Sequence, residues 1–255
     1  MNEVLDHPLL LFVLSFVALW ISARFGTTLL RRWAKFDPHL RTDFSTILAT
    51  TLTLNALIIG FTFSMATDRY EQRKNYEEAE ANAIGTEYVR ADLLAAPEAS
   101  NLRSLLQAYL EQRVLFYTVH GNEEIQRINA RTAKLQDQLW TAVLGTATAQ
   151  PTAIGGLAIS GMNDVLNSQG YTQAAWRNRI PISAWILMAA IALISHALVG
   201  YGAQSTRPDS FLMTVLPLVV SIAFLLIADI DSPRSGIIRV VPQNLSSLAA
   251  SLRAN

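Results

Sequence analysis

An uncharged segment long enough to cross a membrane runs directly into a densely charged segment, with no proline between the two. The uncharged segment is Phe44–Thr67, and the charged segment starts at Asp68 and continues to Leu94. About 20 mostly apolar residues cross a bilayer as an α-helix. We therefore expect one continuous helix that leaves the membrane and extends several turns into water. Residues in both environments can then share a single face of that helix.

Three further segments are apolar enough to cross a membrane, namely Pro8–Ala23, Pro181–Ala203 and Phe211–Ile230. The first is the shortest, but the apolar residues after Arg24 can extend it, because an arginine near a span end places its charged group at the interface. The 255 residues are 51% hydrophobic and only 16% charged, which is typical of a chain that largely faces lipid. The sequence thus predicts an integral membrane protein with four spans.

The spans divide the chain into four regions. These regions are residues 1–67 (spans one and two with a basic connecting loop), 68–180 (a soluble helical region), 181–231 (a hairpin of spans three and four) and 232–255 (a tail). A short loop, Gln204–Pro208, joins spans three and four. The basic residues in and beside the first loop are Arg24, Arg31, Arg32, Lys35 and Arg41. A count of basic residues on each side does not decide which side faces the cytoplasm.

The region between spans two and three has apolar residues at helical spacing and few runs that alternate as strands do. The helical spacing runs from Leu102 to Val114 and again from Ile125 to Val143. Pro97 and Gly121 separate the helices, and a looser stretch is expected at Gly145–Gly156. The predicted fold class is therefore all-α, with a helical soluble region between the second and third spans.

Composition and motifs exclude several functions. The net charge is zero, which gives no reason to expect a nucleic-acid partner, and the absence of cysteine excludes disulfides and thiolate metal sites. The chain has no glycine-rich phosphate loop, no His-Glu-x-x-His and no G-x-S-x-G, so we expect neither an enzyme nor a bound cofactor. Asp229 and Asp231 are expected to form an ion pair with Arg234 or Arg69 rather than a metal site.

One face of the second span combines an apolar ring with a polar stripe. Thr53, Leu57 and Phe61 recur at every fourth residue, and copies of Leu57 and Phe61 around an axis would form an apolar constriction that can gate by dewetting. Continued at heptad spacing, the same face carries Ser64, Asp68, Glu71, Asn75, Glu78 and Asn82. Rings of carboxylates favour cations. This face is the predicted pore neck and vestibule.

A simpler interpretation of the same residues stays open. Serine and threonine hydroxyls in helices often donate to carbonyls of their own helix, so they need not face water. A charged stripe is also typical of a solvated helix surface held by pairs four residues apart, such as Arg73 with Glu77.

Four stretches of the chain resemble the bestrophin-like domain family of bacterial membrane proteins. They are GFTFSMATDRYEQRK (Gly60–Lys74), EANAIGTEYVRADLL (Glu80–Leu94), RIPISAWIL (Arg179–Leu187) and ADIDSPRSGIIRV (Ala228–Val240). The residues that carry the motifs are Gly60, Asp68, Arg69, Tyr70, Arg73, Asp229, Asp231 and Pro233.

The resemblance implies a fold and a function. Bestrophins are pentameric ion channels with four spans per subunit, a pore neck on the second span and a helical cytosolic region. The chain would then be a homo-oligomer in the bacterial inner membrane that interacts with the lipid bilayer and with ions. Thr53, Leu57 and Phe61 match the neck positions. The segment Asp229–Pro233 resembles the acidic, proline-containing segment after the last bestrophin span. It departs from the family pattern because it lacks a Phe-Gly after the proline and an acidic cluster for calcium.

Two functional hypotheses follow. One is a bestrophin-like oligomeric ion channel whose second span lines the pore. The other is a non-conducting membrane scaffold or sensor that binds a partner through its soluble helices.

Overall fold

The structure, a computed structural model, describes residues 7–30, 41–149, 152–203 and 210–254, and these residues form helices without any strand. The all-α prediction is therefore confirmed. The helices are α1 (Pro8–Phe25), α2 (Arg41–Arg90), α3 (Ala96–Thr118), α4 (Asn122–Ala149), α5 (Ala153–Arg177), α6 (Ile182–Gly202), α7 (Ser210–Asp231) and α8 (Gln243–Ala254). The basic residues Arg31, Arg32 and Lys35 and the loop Gln204–Pro208 lie outside the described residues.

Four helices in the described ranges are long and apolar enough to cross a membrane, as predicted. The first continues beyond Arg24, because α1 runs into a π-helical turn at Gly26–Leu30. The second is the front part of α2, which continues without interruption to Arg90. The other two are α6 and α7. The proline-free passage from an apolar to a charged segment is therefore one helix.

The chain divides into two compact units. The span unit comprises Met1–Arg69 and Arg179–Arg239, and the polar unit comprises Tyr70–Asn178 and Val240–Asn255. Helix α2 therefore contributes its first part to the span unit and its second part to the polar unit.

Small residues bring two helices of the span unit into close contact. A methyl group added at Gly200 of α6 would overlap the carbonyl oxygen of Ala23, and one added at Gly26 would overlap the carbonyl oxygen of Ala197. The Ser22 hydroxyl donates to the carbonyl oxygen of Leu193 at 2.7 Å. Glycine and alanine at such a crossing allow backbones to approach closely, which provides the packing that holds helices together in lipid.

The polar unit has an apolar core that α3, α4 and α5 form with the second part of α2. Ile84, Leu106, Leu139 and Met162 are among its fully buried residues. Burying each large aliphatic side chain contributes about 1.5–3 kcal/mol relative to leaving it in water. The core accounts for the apolar spacing seen in the sequence.

The structure differs from the sequence prediction at two places in this unit. The looser stretch expected at Gly145–Gly156 was wrong at both ends, because α4 continues through Gly145 to Ala149 and α5 starts at Ala153, with the Thr152 hydroxyl accepting from the Gly155 N–H at 3.3 Å. The tail was not predicted to be helical, yet it forms α8, which follows Pro242 and buries Leu245 completely.

Candidate functional site

The three predicted neck residues are exposed in the isolated chain. Leu57 is 50% exposed and Phe61 is 63% exposed, and Thr53 is exposed on the same side of α2. Among the described residues of the span unit, none covers these side chains completely. They are therefore available to lipid, to water or to another copy of the chain.

The hydroxyl groups of the second span are satisfied by their own helix. Thr53 donates to the carbonyl oxygen of Ala49 at 2.9 Å, and Thr62 donates to that of Ile58 at 2.8 Å. The same bond to the preceding turn is made by Thr46, Thr50 and Thr51. The simpler interpretation of these hydroxyls is confirmed. The large number of hydroxyl residues in the second span is therefore no evidence that this helix lines a water-filled pore.

The six predicted polar residues are exposed as well. Ser64 and Asp68 lie on the surface of the span unit, and Glu71, Asn75, Glu78 and Asn82 lie on the surface of the polar unit. The opposite side of α2 is covered by the protein. Its buried residues include Asn55, Thr62, Ala66, Arg73, Glu77, Glu80, Ile84 and Glu87. Helix α2 thus has one face packed inside the chain and another, carrying every predicted pore residue, left open.

Arg73 and Glu77 do not form the solvated surface pair that the simpler interpretation gave them. Both are only 1% exposed. The Arg73 guanidinium donates to the carbonyl oxygens of Ala175 and Asn178, each at 3.3 Å. The family-motif arginine therefore fastens the end of α5 to α2 within the polar unit.

The Glu77 carboxylate caps the N-terminus of α8. It accepts from the backbone N–H of Leu245 at 2.9 Å and from the side-chain amide of Asn244 at 2.7 Å. A negative charge is favourable at a helix N-terminus, where the first N–H groups have no partner within the helix. This contact explains why a glutamate occupies a buried position of α2.

A second buried glutamate of α2 forms an ion pair in the centre of the polar unit. Glu80 pairs with Arg113 of α3, and both side chains are inaccessible to solvent. The Thr172 hydroxyl of α5 donates to Glu80 at 3.1 Å. Burial raises the pKa of Tyr109 and the Glu80 carboxylate raises it further, so this neighbouring hydroxyl stays protonated. The network joins α2, α3 and α5.

The two aspartates at the end of α7 hold the backbone that follows it. Asp229 accepts from the N–H groups of Ile237 and Ile238 at 2.7 and 2.8 Å. A methyl group at Gly236 would overlap the carbonyl oxygen of Asp229, so this turn requires a residue without a side chain.

The second aspartate forms the expected ion pair, with a different arginine. Asp231 lies 3.5 Å from the Arg179 guanidinium and accepts from the Ile180 N–H at 3.2 Å. The sequence hypothesis named Arg234 or Arg69. Arg179 was missed because it lies in a separate stretch, although that stretch is one of the four that carry the family resemblance. No cluster of three or more potential metal ligands occurs in the described ranges.

The remaining motif residues differ in exposure. Gly60 is exposed, and a methyl group there would meet no atom within 4 Å. Arg69, Tyr70 and Pro233 are half-buried.

Comparison with known proteins decides the family. The family model of the bestrophin-like domain matches residues 9–245, which is nearly the whole chain. The chain belongs to the bestrophin-like family. Among curated proteins, no relative of this bestrophin-like chain was found.

Solved structures share the fold of this bestrophin-like protein at low sequence identity. A mutant of a bacterial bestrophin homologue from Klebsiella pneumoniae is 11% identical, with a TM-score of 0.69 over 95% of this chain and 98% of that one. Another structure of a bestrophin homologue from the same organism is 13% identical, with a TM-score of 0.62 over 96% and 95%. At these identities the likeness establishes the fold alone.

The sequence interpretation missed the buried polar residues of this bestrophin-like chain. Glu77, Glu80 and Glu87 follow a spacing of three and seven residues, the spacing of a packed helix face. The buried Ile84 falls on the same helix face. This regular spacing was the signal in the sequence that these glutamates are buried. Abundant acidic residues in a helix otherwise indicate a solvated surface.

Proposed function

We propose that this bestrophin-like protein is an oligomeric ion channel of the bacterial inner membrane in which α2 lines the pore. The observation that carries the proposal is the two-sidedness of α2. All nine positions predicted to face a pore are exposed, whereas the other side of the helix is packed within the chain. Copies arranged around one axis would place this open face toward the centre, as cyclic assemblies do.

The open face has the chemistry of a gated pathway. Leu57 and Phe61 would form an apolar ring within the membrane, where a narrow apolar passage loses its water and stops conducting. Asp68, Glu71 and Glu78 lie below that ring along the chain, and their carboxylates would concentrate cations. The proposed channel therefore prefers cations weakly, and the family resemblance supports a pentamer with its polar unit in the cytoplasm.

Subunit count and conduction test the proposal directly. The protein purified in detergent is expected to be a ring of several copies, measured by light scattering with correction for bound detergent. In liposomes with a salt gradient it is expected to pass current that reverses toward the equilibrium potential of the cation. A monomer or dimer would refute the channel as described. A ring that passes no current would leave the scaffold hypothesis.

The predicted neck can be tested with two phenylalanines of α2 that lie on different sides of the helix. Phe61 carries the predicted constriction, whereas Phe63 is 43% exposed and points away from the neck series. Phe61→Ala is expected to raise single-channel conductance or the leak of the closed state, since it removes most of the apolar ring. Phe63→Ala is the matched control and is expected to leave both unchanged. Equal effects of the two substitutions would contradict the assignment of the neck.

Two observations favour the scaffold or sensor as the second candidate. The span hydroxyls are satisfied on their own helix, so they impose no need for a water-filled pore. The polar unit also exposes apolar side chains that suit a protein partner, with Val89 at 66%, Leu93 at 51% and Leu157 at 46%. The subunit count distinguishes the two functions, because a scaffold needs no ring.

A further inference from the structure

Glu87 is a carboxylate enclosed entirely by the polar unit. It lies on the packed side of α2 and has no solvent exposure. The uncharged part of α2 ends at Thr67, about 30 Å earlier along the helix axis at 1.5 Å per residue. Glu87 is therefore buried by protein and not by lipid. None of the contacts proposed for the channel or observed in the Glu80 network uses it.

The opposing backbone of α5 closes over this carboxylate. A methyl group added at Gly161 would overlap both Glu87 Oε2 and Arg90 Nη1, so the backbone of α5 lies directly against the ends of these two side chains. Within the described ranges neither carboxylate oxygen has a hydrogen-bond partner. Arg90 Nη1 lies 3.8 Å from Glu87 Oε2, which is too far for a hydrogen bond. An ionised carboxylate in this position lacks the donors that normally compensate its burial.

Charges on both helices face this carboxylate. Arg90 stands one turn further along α2, and Asp164 stands one turn beyond Gly161 on α5. Burial raises the pKa of Glu87 to about 7, with Asp164 raising it as well and Arg90 opposing the shift. Both protonation states are therefore populated near neutral pH.

We propose that Glu87 is a proton-controlled contact between α2 and α5. With the proton bound, the neutral acid fits against Gly161 without needing a charged partner. When the proton leaves, a buried carboxylate that only Arg90, at 3.8 Å, offsets among the described residues faces Asp164 across the helix contact and weakens the packing of the polar unit. This contact operates whether or not α2 lines a pore. An effect of this contact on conduction would rest on the proposed channel function, because the same helix carries the predicted pore residues.

The direction of the pH effect follows from linkage. The pKa of Glu87 is higher in the folded protein than in the unfolded chain, so the folded state holds the proton over a range where the unfolded chain has released it. The free energy of unfolding is then greatest below the ordinary pKa of a glutamate, about 4.3. It falls as the pH rises toward about 7 and stays level above that.

Thermal and denaturant unfolding of the full chain in detergent, from about pH 5 to about pH 8, tests this proposal. The unfolding equilibrium constant of the native protein is expected to rise by up to about tenfold per pH unit below neutrality. Glu87→Gln keeps the shape of the neutral acid and is expected to abolish most of this slope. Glu78→Gln is the matched control, since Glu78 is an exposed glutamate of the same helix, and it is expected to keep the native slope.

A second variant leaves Glu87 in place, so it tests the proposal even if Glu87→Gln does not fold. Asp164 is exposed, and Asp164→Asn removes a negative charge that faces Glu87. The pH at which stability stops falling is expected to move to a lower value in this variant. An unchanged slope in Glu87→Gln, or an unchanged midpoint in Asp164→Asn, would overturn the proton-controlled contact. Neither result would bear on subunit count, so failure here is distinct from failure of the channel proposal.

Discussion

Arg113→Leu is expected to lower the free energy of unfolding of the polar unit by about 3–5 kcal/mol, because it leaves a buried carboxylate without its cation. Glu80 and Arg113 are both inaccessible to solvent, and the only other donor to Glu80 observed in the described residues is the Thr172 hydroxyl. Most of the loss comes from the unpaired charge of Glu80 rather than from the missing arginine. Denaturant unfolding followed by tryptophan fluorescence measures this loss of stability. Trp176 lies in the same core, with its ring centroid 4.9 Å from that of Phe116.

Two controls separate the cost of the unpaired charge from the general cost of substitution. Combining Glu80→Gln with Arg113→Leu removes both charges and is expected to recover most of the lost stability. Arg127→Ala breaks an ion pair with Glu123 that is almost fully exposed on α4, and it is expected to cost about 0.5 kcal/mol or less. A double variant as unstable as the single one would show that packing, and not charge, explains the loss.

Gly200→Ala is expected to destabilise the span unit by about 1–3 kcal/mol, the usual cost of forcing extra volume into a packed contact. The added methyl group would overlap the backbone carbonyl oxygen of Ala23, which cannot move aside as a flexible side chain would. Helices α1 and α6 must then separate, and the bond from Ser22 to Leu193 lengthens.

The matched control for this substitution is Gly60→Ala, in another membrane helix. A methyl group at Gly60 meets no atom within 4 Å, so this change is expected to be neutral or to stabilise α2 by up to about 1 kcal/mol. The melting temperature of each purified variant in one detergent measures the difference. Equal shifts for the two glycines would contradict the close crossing of α1 and α6.

The spans and the long helix could be predicted because membrane insertion depends on local composition. Each span is an uncharged segment of sufficient length, and nothing in Phe44–Thr67 or the segment after it breaks a helix. The end of α4 was harder to predict. Glycine at position 145 weakens a helix by about 1 kcal/mol, yet α4 continues past it from the buried Leu139 and Val143 to Ala149.

The open face of α2 was predictable and its packed face was not. Heptad spacing from Phe61 to Asn82 selects one side of a helix from the sequence alone. The use of Glu77, Glu80 and Glu87 depends instead on partners that lie far away in the chain. Asn244, for example, is 167 residues from the carboxylate to which it donates. No local pattern distinguishes a glutamate that meets such a partner from one that meets water.

The cap that Glu77 provides to α8 sets an order on biosynthesis. Leu245 lies 168 residues after Glu77, a distance that a ribosome covers in roughly 10–30 s. Both α6 and α7 are translated within that interval. The Asn244 side chain and the Leu245 N–H can therefore reach Glu77 only after the final two candidate spans have been synthesised. The polar unit is therefore completed by α8 only after both of these spans have been translated.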